Sequence, residues 1–374
     1  MSIVETLANV KSLAQNDYLY LMRCALWDVR PNLEHIEDWN GMLHMAQRQT
    51  TLGIVGNAAL QAQATQDLLS ESRVRLLTYL EKMQNEAEQA EALLHSLAVT
   101  FDLHDVTFFL LKGLGMAAFY PVPRLRKCGD IDLLVAPADF DKAVAILNGI
   151  ATAEAVKKAF FSDKHYHIIL NGIAVELHHR CMTLDPAATD LVYLDIEDKA
   201  MALGSDGFTI DGTLIRRPEP TFNAFYVFLH LWEHLKERGI GLRQVCDWTL
   251  LLHARKDQID RERLKVMLGS LGLMKPWQML GCLAVGQLGL PEEEMPFYEP
   301  HYSRKARRLL QIILKEGNFG KARKLRQKHL KAQGLRRRLN TLVDIQVRAW
   351  RIGTMLPKEG LRLWKQKMKG GLEK

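Results

Sequence analysis

What the sequence lacks narrows its class before any motif is read. Its five cysteines (Cys24, Cys128, Cys181, Cys246 and Cys282) are scattered and form no Cys-x-x-Cys pair. An odd, dispersed set excludes a disulfide framework and reads as reduced thiols in a cytoplasmic protein. No positively charged stretch followed by an apolar run opens the sequence, so no signal peptide is expected. The longest apolar run, Ala224 to Trp232, is too short to cross a bilayer and already contains His230. There is no internal repeat and no low-complexity segment.

What is present is an ordinary globular composition, 48% hydrophobic and 25% charged, over 374 residues, enough for two or three packed units. The net charge of +7 hides an asymmetry. Residues 301–374 carry 22 Lys and Arg against 4 Asp and Glu, whereas residues 1–300 carry 28 against 39. Arg304, Lys305, Arg307 and Arg308, the stretch from Lys321 to Lys331, and Arg336 to Arg338 form a cationic series; Trp350 and Trp364 lie among Arg348, Arg351, Arg362 and Lys365. Tryptophan among basic residues on an amphipathic helix suits an anionic membrane surface, which would place the protein peripherally at the inner membrane face. The same charge attracts nucleic acid. A third reading is a solvated helical face packed on an acidic body.

The hydrophobic period divides the chain into four regions. Residues 1–95 read as an N-terminal helical region, in which Leu60, Leu68, Leu69, Leu76, Leu77 and Leu80 recur at helical spacing and a glutamate-rich stretch, Lys82 to Glu91, continues on a solvated face. Residues 96–217 read as a small α/β core. In it, Val106 to Leu111 is a strand, Gly113 to Phe119 a helix, the Asp130 segment a strand and Pro137 to Leu147 a helix. His165 to Leu170 and Ile173 to His179 form a hairpin through Asn171-Gly172, the dipeptide best suited to a two-residue type I′ turn. Beyond Arg216-Arg217-Pro218-Glu219-Pro220 a helical domain spans 218–300, and 301–374 is a basic helical C-terminal region. The fold class expected is α+β, a small mixed sheet backed by helices and flanked by helical regions on both sides.

Chemistry concentrates around Asp130-Ile131-Asp132-Leu133-Leu134-Val135. Side chains alternate along a strand, so Asp130 and Asp132 share one face while Ile131, Leu133 and Val135 pack on the other. Two adjacent carboxylates repel and resist desolvation unless a cation lies between them. Mg²⁺ suits a few carboxylates plus substrate phosphates, with Mn²⁺ as a substitute. Glu176 shares the polar face of its strand with His178 and is the candidate third ligand. His165 and His167 likewise share a face. Lys112 is placed to neutralise phosphate charge, and Gly113 and Gly129 allow backbone to approach it closely. Arg126 could hold a triphosphate oxygen through a bidentate contact, or belong simply to the basic loop Arg124 to Lys127.

The series Leu111-Lys112-Gly113, the Tyr120-Pro121 loop, Arg126 and Gly129-Asp-Ile-Asp-Leu-Leu-Val135 resembles an uncharacterised nucleotidyltransferase family of the DNA polymerase β-like superfamily. The similarity extends over roughly residues 35–255. It implies Mg²⁺-dependent transfer of a nucleoside monophosphate from an NTP to a hydroxyl-bearing acceptor, with Asp130, Asp132 and Glu176 on the metal; the acceptor is not implied. A glycine-rich cradle is represented here only by Gly113-Leu-Gly115, and Glu176 stands where many relatives carry Asp. A catalytically silent nucleotide-binding or regulatory module is the alternative in another class.

One competing motif remains. His230-Leu-Trp-Glu233-His234 matches the His-x-x-Glu-His signature of inverzincin metalloproteases. Two histidines four apart share a helix face, with Glu233 as the base, and such a site requires a third protein ligand from elsewhere.

Overall fold

The computed structural model describes residues 14–34, 36, 38–61, 70–162, 165–320, 343 and 346–372. In chain order, α1 (Ala14–Leu26), α2 (Trp39–Arg48) and α3 (Leu52–Gln61) precede the long α4 (Ser70–Asp102). The strands β1 (Phe108–Leu111) and β2 (Ile131–Val135) follow, with the short α5 (Gly113–Ala117) between them. After α6 (Phe140–Ile150) and α7 (Ala153–Lys158) come β3 (Phe160–Phe161), β4 (His165–Leu170) and β5 (Ile173–His178). Next are α8 (Ala187–Met201) and the hairpin of β6 (Ser205–Ile210) and β7 (Thr213–Pro218). The longer helices beyond are α9 (Pro220–Glu237), α10 (Leu242–Arg255), α11 (Arg261–Ser270), α12 (Met274–Leu283), α13 (Ser303–Glu316) and α14 (Pro357–Leu372). The fold is α+β. It divides into a sheet-containing unit, 66–227 with 257–264, and a helical unit, 1–65 with 228–256 and 265–374.

The main sheet runs β1-β2-β5-β4-β3. β2 and β5 are parallel, and the other neighbours are antiparallel. A parallel pair needs a long crossover, supplied by α6 to β4. Strand alternation then sorts the side chains. Ile131, Leu133, Val135, Ile168, Leu170, Val175 and Leu177 pack against Leu94, Leu97 and Phe101 of α4 and Ala143 and Leu147 of α6, leaving the polar residues of β2, β4 and β5 on the opposite face. The Asn171-Gly172 turn takes φ of 50° and 79°, the two positive values a type I′ turn requires.

The sheet unit departs from the sequence reading in two places. The glutamate-rich face of α4 is not simply solvated: Glu88 and Glu91 pair with Arg124, and Glu86 lies 2.7 Å from Lys127 Nζ. Arg216 and Arg217 lie inside β7, paired with β6 through an Asp211-Gly212 turn at φ 46° and 79°. Of the leucines read along one long helix, Leu60 falls in α3 and Leu76, Leu77 and Leu80 in α4; Leu76 and Leu80 are buried, Leu77 is exposed, and Leu68 and Leu69 lie outside the described residues.

The helical unit is held by aromatic packing and buried caps. Trp248 and Trp277 meet edge to face at 4.8 Å, and Phe228 packs on Trp277 at 5.0 Å. Buried Gln49 donates to the carbonyls of Ile313 and Leu314 and accepts from the amide of Leu242, satisfying backbone groups that helix ends leave open. α13 buries Ala306, Leu309, Leu310, Ile313 and Leu314 and exposes Arg304, Arg307 and Arg308. The other basic clusters, 321–331 and 336–338, lie outside the described residues. Among the described residues no helix is long and apolar enough to cross a membrane.

Candidate active site on the polar face of the sheet

Register brings the carboxylates together. Asp132 of β2 stands directly beside Glu176 of β5, and Asp130, one residue ahead of β2, projects to the same side by the two-residue period. One oxygen from each of Asp130, Asp132 and Glu176 lies within 4.8 Å of the other two. Asp132 is buried, Glu176 half-buried and Asp130 at the exposed lip. An all-oxygen set from two adjacent strands, open on one side, is the kind of donor group a hard divalent cation takes.

Lys112 completes the charge pattern. It follows β1 directly, and its Nζ lies 3.2 Å from Asp132 Oδ1. The backbone turns sharply there, with φ of 40° at Lys112 and 47° at Gly113. A Cβ on Gly113 would stand 3.2 Å from the carbonyl oxygen of Asp130, so glycine is favoured here first by its left-handed φ and then by the close backbone approach. Lysine at positive φ is uncommon and costs on the order of 1–3 kcal/mol. Burial works against the Lys112 ammonium, yet the Asp132 and Asp130 carboxylates outweigh it and raise its pKa.

The same crowding splits the two aspartates. Burial alone would raise the pKa of Asp132, but Lys112 and a 3.2 Å hydrogen bond from His178 Nε2 bring it down to about 2. The protein around its carboxyl and then the neighbouring Asp132 charge push Asp130 up. The hydrogen bond from His178 holds Glu176 below the usual carboxylate range despite partial burial. Burial lowers the pKa of His178, and its bonds to Asp132 and Glu176 more than offset that, so its net shift is upward.

The other residues singled out from sequence are placed differently. Gly129 is exposed, and a Cβ there would meet nothing within 4 Å, so its backbone is accessible without being conformationally obliged to be glycine. Arg126 is buried at 4% exposure; its Nη1 donates to the Lys127 carbonyl at 3.2 Å and meets Cys128 Sγ at 3.4 Å. A bidentate phosphate contact by Arg126 therefore requires the loop to rearrange. In α9 the imidazoles of His230 and His234 bond each other, Nε2 to Nε2, at 3.1 Å, and Glu233 is 2.7 Å from Lys236 Nζ. Among the described residues no third His, Cys, Asp or Glu joins that histidine pair.

Sequence reasoning missed two supports. Arg217, 1% exposed, donates to the Gly115 carbonyl and to Asp206 Oδ2, each at 2.8 Å, and lies over the Phe119 ring at 4.3 Å. It ties the β6–β7 hairpin to α5, which follows Lys112. The Asp211-Gly212 turn signal would have found the hairpin. The segment leaving β5 is pinned as well. Arg180 forks onto Asp190 at 3.1 and 3.2 Å, Asp190 also accepts from the Leu184 amide at 2.7 Å, and Glu197 accepts from the Cys181 amide. No sequence pattern joins residues 180 and 190 across that loop.

Against this geometry, the comparisons are specific on one point. A comparison with curated proteins finds no match. A family model of uncharacterised nucleotidyltransferases matches residues 35–288, a span that contains Lys112, Gly113, Asp130, Asp132 and Glu176 and ends before the basic C-terminal region. With most of its length inside that match, the chain belongs to the uncharacterised nucleotidyltransferase family.

Proposed function

We propose that the protein transfers a nucleoside monophosphate from an NTP to a hydroxyl-bearing acceptor, and that Asp130, Asp132 and Glu176 hold the Mg²⁺ this requires. The observation that carries the reading is the convergence of three carboxylates from two neighbouring parallel strands beside one lysine, in a chain of nucleotidyltransferase descent. When bound, the ion would neutralise phosphate charge and orient the triphosphate. The chain's own residues do the rest. Lys112, already charged and poised at the carboxylates, supplies a cation to phosphate oxygens. Gly113 keeps backbone close to the site, where a side chain would be strained by the left-handed φ and would crowd the Asp130 carbonyl. The acceptor oxygen would form a bond to the α-phosphorus as the bond to the bridging oxygen breaks, with the hydroxyl proton and pyrophosphate released.

The test is Mg²⁺-dependent NTP binding and pyrophosphate release by the full chain, compared with Asp130→Asn/Asp132→Asn. Metal-dependent binding and turnover in wild type, both lost in the variant, are expected. Binding without turnover against a broad acceptor panel would favour a regulatory nucleotide-binding module. Turnover that survives in the variant would overturn the assignment of these carboxylates.

A further inference from the structure

The polar face of the sheet carries more donors than the carboxylate group uses. In the β4–β5 register His165 stands opposite His178, and His167 opposite Glu176. The His165 and His178 rings are 5.0 Å apart, and Glu176 reaches both: Oε1 lies 3.6 Å from His165 Nε2, and Oε2 lies 3.5 Å from His178 Nε2. One donor atom from each of the three falls within 4.8 Å of the others.

These separations have a meaning of their own. At 3.6 Å the His165–Glu176 contact is past a useful hydrogen bond, and at 3.5 Å the His178–Glu176 bond is a long one. Two ligands on a tetrahedral ion with bonds of about 2.05 Å stand about 3.4 Å apart, so the spacing is that of ligands around an ion. His178 is 7% exposed, so the sheet holds its ring in place, and ligation would use the Nε2 lone pair, the proton that Nε2 shares with Asp132 and Glu176 being released to solvent.

We propose that His165, Glu176 and His178 form a second cation site, for a borderline transition-metal ion of the Zn²⁺ class, adjoining the carboxylate group and sharing Glu176 with it. The donor chemistry separates the two sites. Imidazole nitrogens suit Zn²⁺, Cu²⁺, Fe²⁺ and Ni²⁺, whereas Mg²⁺ prefers oxygen and keeps its waters. His167 Nδ1 lies 3.8 Å from the same Glu176 Oε1, and its ring is stacked on Phe160 at 4.8 Å. The site does not depend on nucleotidyl transfer, because it would bind its ion in the absence of nucleotide.

The experiment titrates the chelator-treated full chain with ZnCl₂ against a chromophoric competitor, with MgCl₂ as the control cation. CoCl₂ substitution provides a visible spectrum that reports imidazole ligation. Wild type is expected to bind one Zn²⁺ that Mg²⁺ does not displace. His165→Ala and His178→Ala should each weaken it by at least about tenfold, the scale that even outer-shell changes reach, and alter the Co²⁺ spectrum. Asp130→Asn should retain Zn²⁺ while losing NTP turnover, which separates a failure of this site from a failure of the nucleotidyltransferase reading. His165 is partly exposed, so its variant tests the site even where His178→Ala does not fold. No stoichiometric Zn²⁺ in wild type, unchanged affinity in folded His165→Ala, or loss of the ion only with His230→Ala/His234→Ala would each overturn the proposal.

Discussion

Among the described residues one pair of imidazoles meets across the β4–β5 hairpin and another along α9, and of these the first is gathered with carboxylates. His165 and His178 come from two strands and have Glu176 within 3.6 Å of each. His230 and His234, one helical turn apart, bond each other, and the Glu233 between them is taken by Lys236. The helix places two donors on one face through its own geometry, but a third must arrive from another element. A sheet needs no such coincidence. In-register strands align every second residue of one with every second residue of its neighbour, so Asp132, Glu176, His178, His165 and His167 share a face by construction.

The widest gap between the two regions should appear in catalysis. Glu176→Gln keeps the shape of the side chain but removes one of the three carboxylate charges proposed to hold Mg²⁺. Several kcal/mol of charge stabilisation depend on such a ligand set, so NTP turnover is expected to fall by about three orders of magnitude. His230→Ala/His234→Ala should leave turnover within about twofold, because among the described residues no third His, Cys, Asp or Glu joins that pair. Steady-state pyrophosphate release by both variants checks the contrast. Equal losses would mean that the α9 histidines serve the reaction.

The next effect tests how the sheet unit holds its lysine. Arg217→Met leaves the Asp206 carboxylate, 12% exposed, without its cation and the Gly115 carbonyl without its donor. Breaking one side of such a buried pair costs about 3 kcal/mol, read as a shift in urea midpoint. Arg217→Lys should recover little of it, since an ammonium lacks the fork that spans both acceptors. Nucleotide affinity should fall as well, because Arg217 fixes the helix that follows Lys112.

How much of this was legible depended on whether a residue's partner lay within reach of a local pattern. Asp130, Asp132 and the Asn171-Gly172 hairpin announced themselves, because alternation and turn chemistry act over a few residues. The placement of Glu176 beside Asp132 could be sensed from its polar strand face, but the parallel register that makes them neighbours is a long-range fact with a crossover between. From sequence Arg217 reads as part of a basic, proline-rich boundary between regions. It is a buried strand residue whose partners sit 11 and 102 positions away, a separation at which composition is silent. Arg126 shows the same limit: the basic loop Arg124 to Lys127 reads as one unit, yet Arg124 and Lys127 pair with glutamates of α4 while Arg126 is buried.

A smaller effect is expected where β5 leaves the sheet. Partial burial would raise the Asp190 pKa, but the Arg180 fork and the Leu184 amide more than offset that, and its folded value lies below the ordinary 3.8. A carboxylate depressed in the folded state contributes stability that is whole above its unfolded pKa and lost as pH falls through the folded one. Asp190→Asn is therefore expected to cost about 2 kcal/mol at neutral pH. The wild type and variant curves should converge below about pH 4, which thermal melts across pH would show. A gap that stayed constant down to pH 2 would mean that the loss came from packing and not from charge.

The smallest effect belongs to the acidic rim of α4. Arg124 is 46% exposed and its partners Glu88 and Glu91 are 52% and 24% exposed, so water screens the attraction and side-chain ordering opposes it. Exposed pairs of this kind contribute about 0–1 kcal/mol. Glu88→Gln/Glu91→Gln should accordingly lower stability by less than about 1 kcal/mol, and 1 M salt should shrink even that, because the Debye length falls to about 3 Å. Yet the same pairs anchor the loop that leads into Asp130, so the more telling readout is nucleotide affinity at low salt. A drop in affinity with stability unchanged would show that the rim acts by holding the loop in place. No change in either would leave α4 as packing alone, its glutamates serving only to keep that face wet.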